Sequence, residues 1–96
     1  MKINNKEYTT PTLNFAAMCE LEKWGLQIGD ISSRPLAFLA GFIGLAIGED
    51  LSGGQAAIDA HLEGGGTLDD LTEELNEAVD ASGFFKGTEE EKKTPA

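Results

Sequence analysis

Cysteine is almost absent from this chain of 96 residues, which has only Cys19. A single cysteine cannot form an internal disulfide, and it leaves no cysteine pair to hold zinc. The first ten residues, MKINNKEYTT, lack the apolar run and the cleavage pattern of a secretory signal. We therefore expect a protein of the reducing cytosol, with one small domain as the length favours.

Basic residues are missing from a long segment of the chain. Residues 49–85 contain ten acidic side chains and no lysine or arginine, whereas residues 1–48 are balanced, and the formal net charge of the whole chain is −10. Binding to nucleic acid or to anionic lipid depends on lysine and arginine. We therefore expect no nucleic-acid partner and no membrane partner.

Long hydrophobic runs are missing as well. The stretch LAFLAGFIGLAIG, residues 36–48, is uncharged but shorter than the ~20 residues of a membrane span. We interpret it as a buried central helix that begins near Pro35 and is capped by Ser32 or Ser33. Small residues crowd one side of it: Ala37, Gly41, Gly44 and Gly48. Interior glycines cost roughly 1 kcal/mol each relative to alanine, so we expect another helix, from this chain or a partner, to pack closely there.

Capping patterns predict the other helices. Thr10 followed by Pro11 is typical of a helix start, and helical apolar spacing continues to Trp24. Gly25 supplies a left-handed stop. Within this helix we expect Cys19 and Trp24 to be core residues rather than reactive ones.

Two later helices are predicted to begin with reciprocal caps. Ser52 with Gln55 fits a capping box at the start of a helix that ends near Glu63, and Thr67 with Asp70 repeats the pattern. The last helix is expected to direct five apolar residues inward and its acids outward: Leu68, Leu71, Leu75, Ala78 and Val79. We expect Gly83 to end it.

Together these patterns predict a mainly α fold. It consists of about four helices preceded by a short N-terminal β-hairpin that turns at Asn4-Asn5, two residues that tolerate positive φ. The predicted helical domain spans residues 1–85. Residues 86–96, KGTEEEKKTPA, have no apolar residue to bury and are predicted to be a disordered polar tail.

The sequence offers no catalytic, cofactor or metal site. LSGGQ, residues 51–55, matches a signature of ATP-driven pumps, but no Gly-Lys pair supplies the phosphate loop that nucleotide binding requires. The order around Ser52 does not match the modified serine of acyl carrier proteins. His61, the only histidine, has no second ligand nearby, and we expect it to be solvated or half-buried. The acids of the last helix lack a calcium loop.

The order of the elements resembles the small tail assembly chaperones of long-tailed phages and Gram-positive prophages. The resemblance covers residues 1–85 and is most specific at TLNFAAMCELEKWG and at the closing SGFF. It implies a non-enzymatic protein of the host cytoplasm that is absent from the finished virion. It also implies two partners: the tape measure protein, which it coats and keeps soluble, and the tail tube protein, whose subunits it helps recruit.

A partner-binding surface is predicted from apolar residues that a small domain cannot fully cover. Its candidate residues are Phe38, Phe42, Leu45, Phe84 and Phe85. An amphipathic helix of a tape measure protein or a second copy of this chain fits such a patch. Three alternatives stay open: the phenylalanines are simply core, the chain is an acidic inhibitory module that mimics DNA, or it is a carrier modified at Ser52.

Overall fold

The computed structural model describes residues 1–82, and this part of the chain is mainly helical, with five helices and one antiparallel hairpin. In chain order the elements are β1 (Lys2–Ile3), β2 (Lys6–Glu7), α1 (Phe15–Lys23), α2 (Asp30–Ser33), α3 (Pro35–Ile47), α4 (Leu51–Glu63) and α5 (Leu68–Ala81). The predicted fold class is therefore confirmed. The predicted stop at Gly83 and the predicted tail, residues 86–96, lie outside the described residues.

The hairpin forms where the two asparagines predict it. Asn4 and Asn5 have φ values of 51° and 65°, the left-handed conformation that a tight turn requires. β1 and β2 pair in antiparallel register, with Ile3 opposite Lys6. The Ile3 side chain is buried, so the hairpin is fixed to the helices through it.

Helix α1 begins later than predicted. Asn14, not Thr10, is its N-cap, and its side-chain oxygen accepts a hydrogen bond from the Ala17 N–H at 2.9 Å. The residues before it are not helical, and the side chain of Leu13 is fully buried in the core. Thr10 instead donates to the Glu74 carboxylate on α5, at 3.4 Å. The prediction of a start at Thr10-Pro11 was wrong because this segment packs against the core in a non-helical conformation.

The core face of α1 also differs from the prediction. Met18 and Leu21, three positions apart, are its buried side chains. Cys19 is one position from Met18, about 100° around the helix, and is exposed. The prediction that Cys19 is a core residue was therefore wrong, whereas Trp24 is half-buried against the core.

A four-residue helix, α2, directly precedes α3 and was not predicted from the sequence. Its Asp30 carboxylate accepts hydrogen bonds from the Gln27 N–H and from the Arg34 guanidinium, at 2.8 Å and 2.7 Å. Ser33 donates to the Gly29 carbonyl and to Asp30, and α3 has no side-chain cap, so the prediction that Ser32 or Ser33 caps it was wrong. Helix α3 does begin at Pro35, whose fixed φ suits the first turn.

Helix α4 has the predicted end but a different cap. Asp50 is its N-cap, and the Asp50 carboxylate accepts from the Gly53 N–H at 3.0 Å. Ser52 and Gln55 are exposed inside the helix, so the predicted capping box between them was wrong. Asp50 and Ser52 can both cap a helix, and here the Asp50 carboxylate occupies the N-cap position.

Helix α5 begins with the predicted capping box. Thr67 Oγ1 accepts from the Asp70 N–H at 3.2 Å, and the Asp70 carboxylate accepts from the Thr67 N–H at 3.0 Å. Leu71, Leu75 and Ala78 are buried, and the flanking apolar residues of the predicted stripe, Leu68 and Val79, are partly buried. At the other end, the Ser82 hydroxyl donates to the Leu13 carbonyl and ties α5 to the segment before α1.

The small residues of α3 allow close packing, as expected, and the neighbours belong to this chain. A Cβ built at Gly54 of α4 would overlap the carbonyl oxygen of Ala40, and one built at Gly44 would lie 2.5 Å from the Asp50 carbonyl oxygen. On the other side of α3, a Cβ at Gly41 would meet the side chains of Leu21 and Leu26. Helix α3 is therefore enclosed on two sides by close backbone and side-chain contacts.

Candidate binding surface

The predicted partner-binding residues of α3 are largely inside the protein. Phe38 and Phe42 are each 0% exposed and are among the largest fully buried side chains, while Leu45 is partly buried at the edge of the same cluster. Neither ring is accessible to a partner in this fold, so the prediction that they form a binding surface was wrong. Phe84 and Phe85 lie outside the described residues.

An accessible apolar groove exists on a different face of α3. Leu36, in the first turn of α3, is 65% exposed, and Leu62, near the end of α4, is 41% exposed. A groove of about 500 Å³ runs along these two helices to the start of α5. Its apolar lining consists of Leu36, Ala37, Leu39, Ala40, Ile58, Leu62 and Leu68, and we call it the α3–α4 groove.

Helical spacing brings the exposed leucines to the groove. Ile58 and Leu62 are four positions apart on α4 and therefore share one face. Leu36 and Ala40 have the same spacing on α3. Sequence reasoning missed this surface because α3 is apolar on all sides, so its pattern does not show which side is covered. The missed signal was the Ile58–Leu62 pair on a helix that, after Leu51, is otherwise polar or small.

The cation nearest in sequence to the groove is already paired. Arg34 lies two positions before Leu36, and its guanidinium donates to both Asp30 oxygens and to the Gly25 carbonyl. The Arg34 hydrogen bond, followed by the Gln27 N–H, lowers the pKa of the Asp30 carboxyl to about 2. This pair is therefore charged at neutral pH, and its charges compensate each other.

Acidic side chains border the groove without such compensation. Asp59 lines the groove, Glu63 lies four positions later on the same face of α4, and Asp69 follows Leu68 in the first turn of α5. All three are exposed, and none forms an ion pair with a residue in the described part of the chain. The rim of the groove therefore carries negative charge.

His61 is buried, contrary to the prediction that it is solvated or half-buried. Its Nδ1 accepts a hydrogen bond from the Asn4 N–H at 2.8 Å, which places the ring proton on Nε2. Nε2 lies 3.4 Å from the Asp70 carboxylate and makes no hydrogen bond with residues 1–82, while Gly66 packs against the ring. The Thr67 N–H, which donates to the Asp70 carboxylate, is the main cause of a lowered pKa of Asp70. His61 thus attaches the hairpin to α4.

Metal sites and membrane spans are not found within residues 1–82. No group of three or more His, Cys, Asp or Glu side chains in this part of the chain is arranged to hold a metal ion. No single helix there is long and apolar enough to cross a bilayer, and α3 and α4 reach that length only together, bent by 95°.

Comparison with known protein families, curated proteins and solved structures finds no match to this chain. What the described residues offer is an accessible apolar groove with a negatively charged rim. Such a groove binds apolar side chains of another molecule by removing them from water.

Proposed function

We propose that this protein is a non-enzymatic tail assembly chaperone that binds a tape measure protein, keeps it soluble and helps recruit tail tube subunits. It acts in the cytoplasm of the bacterial host and is absent from the mature virion. The pattern shared by residues 1–85 with that class of proteins suggests the function, and one structural observation supports it. That observation is the α3–α4 groove, where Leu36 and Leu62 remain exposed beside uncompensated acids.

A chaperone of this kind needs two surface properties together. It must cover apolar segments of a long helical partner, and the complex must remain dispersed while many copies bind. An apolar groove meets the first need, and a net charge of −10 meets the second, because acidic side chains favour solubility more than basic ones do.

Co-expression with the tape measure protein of the same genome tests this proposal. We expect the tape measure protein to stay in the supernatant after centrifugation when the full 96-residue chain is present, and to pellet when it is absent. An unrelated acidic protein of similar size and charge is the control for charge alone. Equal pelleting with and without the chain contradicts the proposed function.

An acidic inhibitory module that mimics DNA is the alternative. The exposed acids of α5 favour it: Asp69, Asp70, Glu73, Glu77 and Asp80. The charge balance of residues 1–48 speaks against a mimic that covers most of the surface. Displacement of DNA from a basic DNA-binding protein by stoichiometric amounts of this chain is the result that favours the alternative.

A further inference from the structure

The α3–α4 groove lies between two helices and is lined mainly by apolar residues. Two helices form its walls, and the apolar residues on each wall are repeated at a spacing of four, Leu36 with Ala40 and Ile58 with Leu62. An amphipathic helix presents apolar side chains at positions i, i+3, i+4 and i+7, and these are the anchors that hydrophobic grooves hold. The groove therefore fits a helical ligand with one apolar face.

The charges around the groove define the polar part of that ligand. Asp59, Glu63 and Asp69 have no cationic partner within residues 1–82, and Arg34 is engaged by Asp30. An acidic ligand would meet these carboxylates with like charge, whereas lysine or arginine beside its apolar face would form ion pairs with them. Charge complementarity therefore favours a basic ligand.

A second copy of this chain is a poorer occupant of the groove. Each copy brings the same acids to the contact and a net charge of −10. A helix of the acidic segment placed against the groove of another copy would set carboxylates against carboxylates.

We infer that the α3–α4 groove binds a basic amphipathic helix, with leucine-like residues on one face and lysine or arginine beside them. The inference rests on the proposed function, because it names the kind of partner segment that such a chaperone holds. Apolar contact supplies the attraction, and the acidic rim selects the partner and speeds its approach.

A synthetic peptide tests the inference with the full-length protein. The probe is a leucine–lysine peptide of about 18 residues with its leucines on one helical face, because much shorter isolated helices are marginal in water. One control peptide has the same composition in an order that separates the leucines, and another has glutamate in place of lysine. We expect fluorescence anisotropy to show binding of the probe alone, weakened by salt.

Matched variants locate the site. Leu36→Ser and Leu62→Ser should each weaken binding of the probe by about tenfold or more, as expected for loss of a buried leucine contact. Ile28→Ser is the control, because Ile28 is 40% exposed, close to the 41% of Leu62, but lies outside the groove. It should change the affinity less than twofold, and Trp24 fluorescence checks that every variant is folded.

Three results overturn the inference. They are equal binding of the peptide with separated leucines, equal loss of affinity in Ile28→Ser, and dimerisation of the wild type that Leu36→Ser abolishes, which assigns the groove to a second copy. The co-expression assay separates this inference from the proposed function. If the wild type holds the tape measure protein but does not bind the peptide in the groove, only the inference fails. If the wild type binds the peptide in the groove but does not hold the tape measure protein, only the proposed function fails.

Discussion

Residues 1–48 and residues 49–82 differ in how much of the core and how much of the surface charge they supply. Residues 1–48 carry balanced charge and supply ten of the thirteen buried apolar residues. Residues 49–82 supply only Leu71, Leu75 and Ala78, and they carry ten acids without a lysine or arginine. The neutral part therefore forms most of the core, whereas the acidic part covers it and sets the charge of the surface.

The acidic residues 49–82 remain folded through a small number of apolar and backbone contacts. Helix α5 buries three small or medium apolar residues on one face and leaves its acids in water. Helix α4 approaches α3 through Gly54, so contact between backbones replaces burial of large side chains. Ile58 and Leu62 are then left for the groove.

The largest expected loss of stability follows from a core substitution in the neutral part, residues 1–48. Phe42→Ala should lower the free energy of unfolding by about 3–5 kcal/mol, because it leaves a cavity in a fully buried site. Leu36→Ala, on the exposed face of the same helix, should change it by about 0.5 kcal/mol or less. Urea unfolding followed by Trp24 fluorescence measures both. Equal losses in the two variants would show that both faces of α3 are core.

A substitution at the contact between α4 and α3, where the acidic part meets the neutral part, should lower the stability almost as much. Gly54→Ala should lower the free energy of unfolding by about 2–3 kcal/mol, because the added methyl group overlaps the Ala40 carbonyl oxygen. At Gly29 a Cβ meets nothing within 4 Å, and φ is −60°, so Gly29→Ala should be neutral or slightly stabilising. A wild-type melting temperature in Gly54→Ala is the result that contradicts this close contact.

The hydrogen bond from the hairpin to α4 should contribute less. His61→Ala removes the acceptor of the Asn4 N–H and should cost about 1–2 kcal/mol. The readout is hydrogen exchange at the Asn4 amide, which should become faster in this variant than in Glu63→Ala, a change at an exposed position of the same helix. Unchanged exchange in His61→Ala shows that the hairpin is held by other contacts.

The smallest change in stability is expected on breaking the Asp30–Arg34 ion pair, and this change should depend on pH. The pKa of Asp30 falls from 3.8 to about 2, so the folded state favours the carboxylate. Its contribution to stability is present above pH 3.8 and is lost as the pH falls towards 2. Asp30→Asn should therefore be less stable than the wild type at pH 6, and the difference should shrink across this window. The control is Asp59→Asn, because Asp59 forms no ion pair among the described residues. A stability difference between the wild type and Asp30→Asn that stays constant from pH 6 to 2 refutes the assignment.

Local signals predicted much of the fold, while tertiary contacts decided the rest. The turn at Asn4-Asn5, the start at Pro35 and the Thr67–Asp70 box depend on neighbouring residues only, and all three were predicted. The caps at Asn14 and Asp50 were missed because another residue with capping ability stands nearby in each case, at Thr10 and Ser52.

The proposed binding surface was harder to predict than the fold. Helix α3 is apolar on every side, so its sequence alone does not distinguish Phe38 and Phe42, which are fully buried, from Leu36, which is 65% exposed. That distinction depends on how the other helices pack around α3. The excess of acids on α4 and α5, in contrast, could be predicted from the sequence, because the number of charged residues does not depend on packing.

The proposed partner-binding surface lies in the α3–α4 groove and includes residues of the acidic part of the chain. Leu62→Ser and Ile28→Ser test it most directly, because the two residues are almost equally exposed but belong to the acidic and the neutral part. The measurement is the soluble fraction of the tape measure protein co-expressed with each folded variant. We expect Leu62→Ser to lose much of this fraction and Ile28→Ser to retain it. Retention by Leu62→Ser, or an equal loss by both, would contradict the claim.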